Sequence, residues 1–343
     1  MKMMKQMACA ALVAAVAVGI TGCGDKASST GRFEPKVAEG AFAALVARPM
    51  EKTSLAPLCK QYGLGMTDLM KQAPDEKAQE IIKELELDTA DNKWIAVTFD
   101  PVSAEKLKDP DFAVAIATSV DLDKVVAYAQ SKKKQKIDKA TIAGVPAYVF
   151  LKGEKEDGFM ANLDKQLILV ANTKAGLEKL IALYRDGKGA SAAFGSFTLG
   201  ANDIIRLKVV KVGENVKKSL PDPEMLKMVN QVVPDGDKIV LGMGAVELAL
   251  GASDDGKNVK LDLSIETAAE KDADSLTTLA KTGLMAFTAQ MKKAAEKDPD
   301  SKAAYDTLQS VKIEAKGKVA TLAASTAADQ ALKALADKAK ELK

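Results

Sequence analysis

One pattern constrains this chain more than any single motif: a short apolar strand, a capping hydroxyl and an amphipathic helix, found twice. Residues 167–173 are an apolar run ending in Thr173, and 174–184 follow with Leu177, Leu180, Ile181 and Tyr184 at helical spacing. About 150 residues further on, residues 319–326 form a second such run. It leads into 327–342, with Leu332, Leu335 and Leu342 as the large apolar residues. In both places a Thr or Ser sits where a helix needs an acceptor for its first free N–H groups.

The correspondence continues upstream. Residues 112–118 alternate as a strand before a helix starting at Asp121 or Asp123, and 259–265 alternate before a helix over about 270–293. Residues 94–99 correspond to 239–250. Residues 42–47 precede a helical region containing Ser54 and Thr67, as 204–212 precede one starting near Glu214. Asp254-Asp255-Gly256-Lys257 and Lys316-Gly317 are turn sequences between alternating runs, hence hairpins. The run of Gly and Ser at 186–191 places a boundary near 190.

The expected fold is α+β, with two similar tandem domains at 40–190 and 191–343, each a mostly antiparallel sheet packed by helices. A chain of 343 residues is about right for two domains of ordinary size. Much of the apolar content is alanine and only 4% of residues are aromatic, so helices should lie close on the sheet. The layout across 40–343 resembles an uncharacterised family of duplicated α+β bacterial envelope proteins, a resemblance that implies no activity.

Residues 1–22 have the form of a signal peptide: Lys2 and Lys5, then an apolar stretch over 7–20. At roughly 14 residues that stretch is too short to span a bilayer. It ends in Ile20-Thr21-Gly22-Cys23, which resembles the lipobox of bacterial lipoproteins. The resemblance implies cleavage between Gly22 and Cys23 and a diacylglycerol thioether on Cys23. It also implies acylation of the new amino terminus, palmitate being a typical chain. Two or three acyl chains make a stable anchor. Ile20 and Thr21 depart from the preferred Leu and Ala or Ser. Gly24 follows Cys23 where enterobacterial sorting would use Asp to retain a lipoprotein at the inner membrane, so the outer membrane is expected in a Gram-negative cell. Residues 23–39, polar and rich in Ser, Gly and Lys, read as a flexible tether.

The chain contains no histidine. That excludes the Ser-His-Asp triad, the Cys-His pair and most zinc sites. Removal of residues 1–22 takes away two lysines and no acid, leaving basic and acidic side chains balanced, and nucleic acid is not an expected partner. Arginine occurs only at 32, 48, 185 and 206, so bidentate anion forks are scarce. Cys9 leaves with the signal and Cys23 is lipidated. Cys59 is then alone, a small buried hydrophobe in its apolar context and without a partner for an intramolecular disulfide.

Chemical motifs are weak. Asp109-Pro110-Asp111, Asp222-Pro223-Glu224, Asp235-Gly236-Asp237, Asp254-Asp255-Gly256 and Asp298-Pro299-Asp300 lack calcium-loop spacing and suit turns. Gly242-Met243-Gly244 lacks the third glycine of a dinucleotide loop. Ser131 to Lys134 matches Ser-x-x-Lys, but it lies in a lysine run where a helix exits, too wet to deprotonate a lysine.

These observations predict no catalytic, cofactor-binding or metal residues and no cofactor. The leading expectation is a lipid-anchored, non-catalytic envelope protein that binds a protein, glycan or lipid partner through a domain surface or inter-domain groove. One alternative is a periplasmic carrier of lipid or another hydrophobic ligand; another is a histidine-free hydrolase. The oligomeric state is open.

Overall fold

The computed structural model describes residues 33–64, 93–100, 111–118, 120–152, 155–195, 197–219, 230, 235–296 and 299–341. In the first half, β1 (Ala43–Ala47) leads through a 3-10 turn (Met50–Lys52) to α1 (Ala56–Tyr62), followed by β2 (Trp94–Phe99) and β3 (Phe112–Ala117). Then come α2 (Leu122–Lys133), β4 (Ile137–Ile142), β5 (Val145–Lys152), β6 (Lys155–Leu163), β7 (Leu167–Ala171) and α3 (Lys174–Asp186). The second half has β8 (Asp203–Val210), α4 (Val212–Ser219), α5 (Gly236–Leu241), β9 (Ala245–Ala252) and β10 (Asn258–Glu266). It ends with α6 (Glu270–Ala295), α7 (Pro299–Gln309), β11 (Lys312–Lys316), β12 (Val319–Ala327) and α8 (Ala328–Glu341).

The fold is α+β, and every strand pairing among the described residues is antiparallel. The local reasons match the expected ones. Asp121 caps α2 by accepting from the Asp123 and Lys124 amides, and Thr173 caps α3 by accepting from Gly176. Gly63 and Gly187 end α1 and α3 in the left-handed region that glycine enters most freely. Residues 253–257 turn β9 into β10. Gly256 there has φ +67°, and a Cβ would sit 2.4 Å from the Ser54 carbonyl oxygen, so the turn both needs left-handed backbone and touches the first half.

Three expectations need correction. The separate sheets expected for 40–190 and 191–343 are one twelve-stranded sheet, ordered β11-β12-β10-β9-β8-β1-β2-β3-β7-β6-β5-β4. The join is β1 on β8, with Leu45 opposite Leu207 and Val46 opposite Arg206. Around residue 190, where the boundary was placed, the chain is packed: Ala38 bridges Ala190, and Phe194 and Phe197 are buried edge to face. The same contacts shorten the tether, because Val37 and Ala38 are buried and the Phe33 carbonyl accepts from the Trp94 indole. The strand expected over 239–250 begins only at Ala245, since Gly236–Leu241 is helical and Gly242 closes it. Thr67 and residues 1–32 lie outside the described residues.

In the first half both sheet faces are buried. On one, Val46, Ala96, Ala115, Leu169 and Ala161 pack with Leu177, Leu180, Ile181 and Tyr184 of α3. On the other, Ile95, Val114, Ile116, Ile168 and Met160 pack with Leu122 and Val126 of α2. The alanine-rich face lets α3 approach closely. The aromatic share concentrates there, with Trp94 stacked on Tyr184 at 6.2 Å.

Candidate functional site

Strand register carries the site. Residues directly opposite in antiparallel neighbours share a face. One row therefore runs Met160, Val170, Val114, Val97, Leu45, Leu207, Leu248, Leu263, Leu322, Ile313 across ten strands. Met160 and Val114 are buried under α2, and Ile313 is buried at the far edge. Between them Leu207, Leu248, Leu263 and Leu322 are only half-buried and pack into none of the buried clusters of the described residues. Flanking rows on the same face add Val209, Val246 and Ile265, and Ile205, Leu250 and Leu261, of which Ile205 packs against the cluster of α1 and α8. These are half-buried as well.

The opposite face of these strands is polar. Its rows read Lys208, Glu247, Ser264, Thr321, Glu314 and Arg206, Ala249, Asp262, Ala323, Lys312. Alternation in the sequence of β8, β9 and β10 thus sorts aliphatic side chains to one side and water-seeking ones to the other. The helical hairpin of α6 and α7 packs on β11 and β12. Thr307 of α7 meets Thr326 on the apolar side at 3.0 Å, and α8 packs on β10 and β12, where Ala252, Val259 and Ile205 join the cluster around Leu332; the row Leu207, Leu248 and Leu263 lies outside these packed clusters.

The seam is held by arginine. Arg206 pairs with Glu247 at 2.5 Å, donates to the Thr198 carbonyl at 2.9 Å, and lies 5.7 Å over the Phe197 ring. Arg48 donates to the Leu199 and Ala201 carbonyls. Burial lowers its pKa, and Asp203 partly offsets this. These arginines pin 198–201, the passage between the halves, onto the sheet.

Residues 48–64 also cross over. Leu55, Cys59 and Leu64 pack with Ala328, Leu332 and Ala336 of α8, and with Ile204 and Ala252. The Ser54 hydroxyl donates to the Ser253 carbonyl, and Tyr62 donates to Asp329.

The chemical candidates from the sequence are not brought together. Cys59 is buried, and its thiol pKa is pushed up to about 11 by burial first and Glu51 second, the reverse of an activated thiol. Ser131 donates to the Tyr128 carbonyl inside α2, and Lys134 is exposed just past the helix end. Asp254 accepts from Asn202, and Asp255 accepts from the Ser253 hydroxyl and the Lys257 amide, which is turn chemistry. Asp235 pairs with exposed Lys238. Gly242 and Gly244 link α5 to β9, where the Gly213 and Gly244 amides donate to the Met243 and Glu266 carbonyls. Asp109, Asp222, Pro223, Glu224 and Asp298 lie outside the described residues, as do Gly22 and Cys23.

Among the described residues no three His, Cys, Asp or Glu side chains converge in a way that could hold a metal. A cavity beside α3, lined by Thr98, Asp100, Thr173 and Lys179, holds about 20 Å³, room for a single water. The core-facing role expected of the 174–184 helix holds. In α8 the buried line is Ala328, Leu332 and Ala336, and Leu335 points outward.

The apolar rows were missed as a site because each strand, taken alone, reads as an ordinary half-buried strand. Only the register shows that the rows align across the seam.

No family model and no curated protein matches the chain. Two solved structures are similar, both of TP0453, a Treponema envelope lipoprotein. Crystal form IV is 12% identical, covering 89% of this chain and 97% of that one with a TM-score of 0.42. Crystal form I is 11% identical, covering 88% and 95% with a TM-score of 0.38.

Proposed function

We propose that this chain is a non-catalytic, lipid-anchored envelope protein that works by contact, and that the apolar face of β8, β9 and β10 seats a hydrophobic partner. The observation that carries the reading is the aliphatic row Leu207, Leu248, Leu263 and Leu322, half-buried while its continuation under α2 is closed. An apolar sheet face normally lies against a core, and one left part-open marks a contact surface.

In this reading Cys23 carries the acyl anchor and residues 23–32 form the tether. The two halves are copies of one unit. From the seam outward, both halves run first strand, second strand, third strand, last strand, penultimate strand; β4 and β5 are an extra hairpin on one side.

The test is binding of an environment-sensitive apolar dye to the mature chain. Leu248→Ser and Leu263→Ser should each lower dye binding severalfold, whereas Thr321→Ser on the polar face should not. Equal binding by all three variants overturns the proposal. Hydrolysis of generic ester, peptide or glycoside substrates, abolished by one Asp or Ser substitution, would overturn the non-catalytic part. Loss of palmitate labelling on Cys23→Ser checks the anchor. A lipid carrier, the rival reading, should show a lipid adduct by native mass spectrometry after gentle extraction.

A further inference from the structure

Residues 33–42 run along the α3 side of the sheet before β1 begins, and their direction fixes where the chain leaves the body. Phe42 lies at the end of the sheet where β2 stops, its amide donating to the Phe99 carbonyl at 2.9 Å. Phe33 lies at the opposite end, where β2 starts. Its carbonyl accepts from the Trp94 indole at 3.3 Å, and its ring meets Tyr184 edge to face at 6.4 Å. Between them the Lys36 amide donates to the Tyr184 hydroxyl, the Ser191 amide to the Val37 carbonyl and the Glu39 amide to the Gly189 carbonyl. Val37, Ala38 and Ala41 are buried. Backbone bonds and buried side chains together make this a docked segment.

Docking chooses an end. A chain that left the fold directly at β1 would leave from the Phe99 end. The docked segment carries the exit to the Trp94 end, where the register also places the turns at 143–144, 164–166 and 253–257. Arg185 ties the first of these to the end of α3 through the Ala143 carbonyl. Ten residues, 23–32, separate Cys23 from Phe33. As coil they reach about 16–19 Å, and fully extended ~35 Å. The Phe99 end lies a strand length further off, about 20 Å for a strand of this size. For that end to meet lipid, the lead would have to run back along the body close to full extension, at the cost of its coil entropy. On the reading that Cys23 carries the anchor, we infer that the Trp94 end of the sheet, with the turns 143–144, 164–166 and 253–257, faces the lipid surface, and that the docking of 33–42 sets this orientation. The strands then stand away from the membrane, and the open apolar face of β8, β9 and β10 is presented sideways to the aqueous space instead of to the bilayer.

The test uses the acylated chain on phosphatidylcholine vesicles that carry an acceptor dye on a fraction of the headgroups. A donor dye is attached through Lys165→Cys or through Lys174→Cys, two exposed positions on either side of β7 and so at opposite ends of the sheet. The two sites are on the order of 20 Å apart along the strand direction. Cys59 is buried and does not compete for the label. Energy transfer from position 165 should exceed that from position 174 by roughly twofold or more. Val37→Asp with Ala38→Asp should undock the segment, lengthen the lead to residues 23–41 and abolish the difference, with the melting transition reporting that the body stays folded. Should that variant fail to fold, the two labelled sites alone decide. Equal transfer from the two sites on vesicle-bound protein, or more from position 174, overturns the orientation alone. A difference that survives undocking overturns the role given to the docked segment. A chain that takes no palmitate label and does not float with the vesicles overturns the anchor reading, and this inference with it.

Discussion

The two halves of the sheet share a strand order but differ in how their faces are closed. In the first half α2 and α3 cover both faces, and β3 and β7 are buried along most of their length. In the second half β9 is half-buried along most of its length and β10 half-buried or exposed throughout, with one polar face and one apolar face. The α6–α7 hairpin sits over the β11–β12 edge. The lesson is that a strand pattern alone does not set burial; the place where a helix lands decides whether an aliphatic row becomes core or contact surface. The first half has the composition of a scaffold, and the second spends its aliphatic residues where they gain little from folding.

The largest expected effect breaks or confirms that contrast directly. Leu180→Ala or Leu169→Ala in the closed half should cost about 3 kcal/mol in urea unfolding, the usual range for a fully buried leucine. Leu248→Ala in the open rows should cost about 1 kcal/mol, because much less area returns to water. Equal costs would mean that the second half is as closed as the first.

Next in size is the thiol that ties the halves together. Cys59 is buried against α8 with a folded pKa of about 11, above its ordinary value of 9.0. The neutral thiol is therefore the form that the fold favours. Its contribution is fully present below pH 9 and is lost as the pH rises toward 11, by about 2 kcal/mol. A Cys59→Ala chain should lack this component of the alkaline loss in pH-dependent urea titrations. Cys59 should also resist thiol reagents at neutral pH until the 48–64 crossing segment opens.

The smallest contrast lies within one helix. Leu332→Ala should destabilise by about 2–3 kcal/mol, whereas Leu335→Ala, three residues on and 46% exposed, should change stability by less than about 0.5 kcal/mol. Thermal unfolding of the two variants side by side tests whether Ala328, Leu332 and Ala336 are the true inward line.

Much of the local structure was legible. Period-two alternation marked β10, the pair Asp121 and Asp123 and then Thr173 announced α2 and α3, and the Asp-Asp-Gly turn joined β9 to β10, because these are short-range preferences of backbone and side chain. The error at 239–250 is also local: Ile239 and Val240 have strand propensity, but Gly242 and Gly244 break the run. Which of Leu332 and Leu335 faces inward was not legible, since three- and four-residue spacings both suit a helix face and only the neighbour across the interface chooses between them.

By itself, the amino-acid order determined the α+β class, most strand and helix positions and the lack of any histidine-based chemistry, since these depend on local propensity and composition. The tertiary structure alone decided that the halves share one sheet, that 48–64 crosses between them and that Leu207, Leu248, Leu263 and Leu322 align. Each of those facts is a pairing between residues distant in sequence. Strand edges can pair in many registers at similar local cost, so packing over the whole chain selects the one that persists.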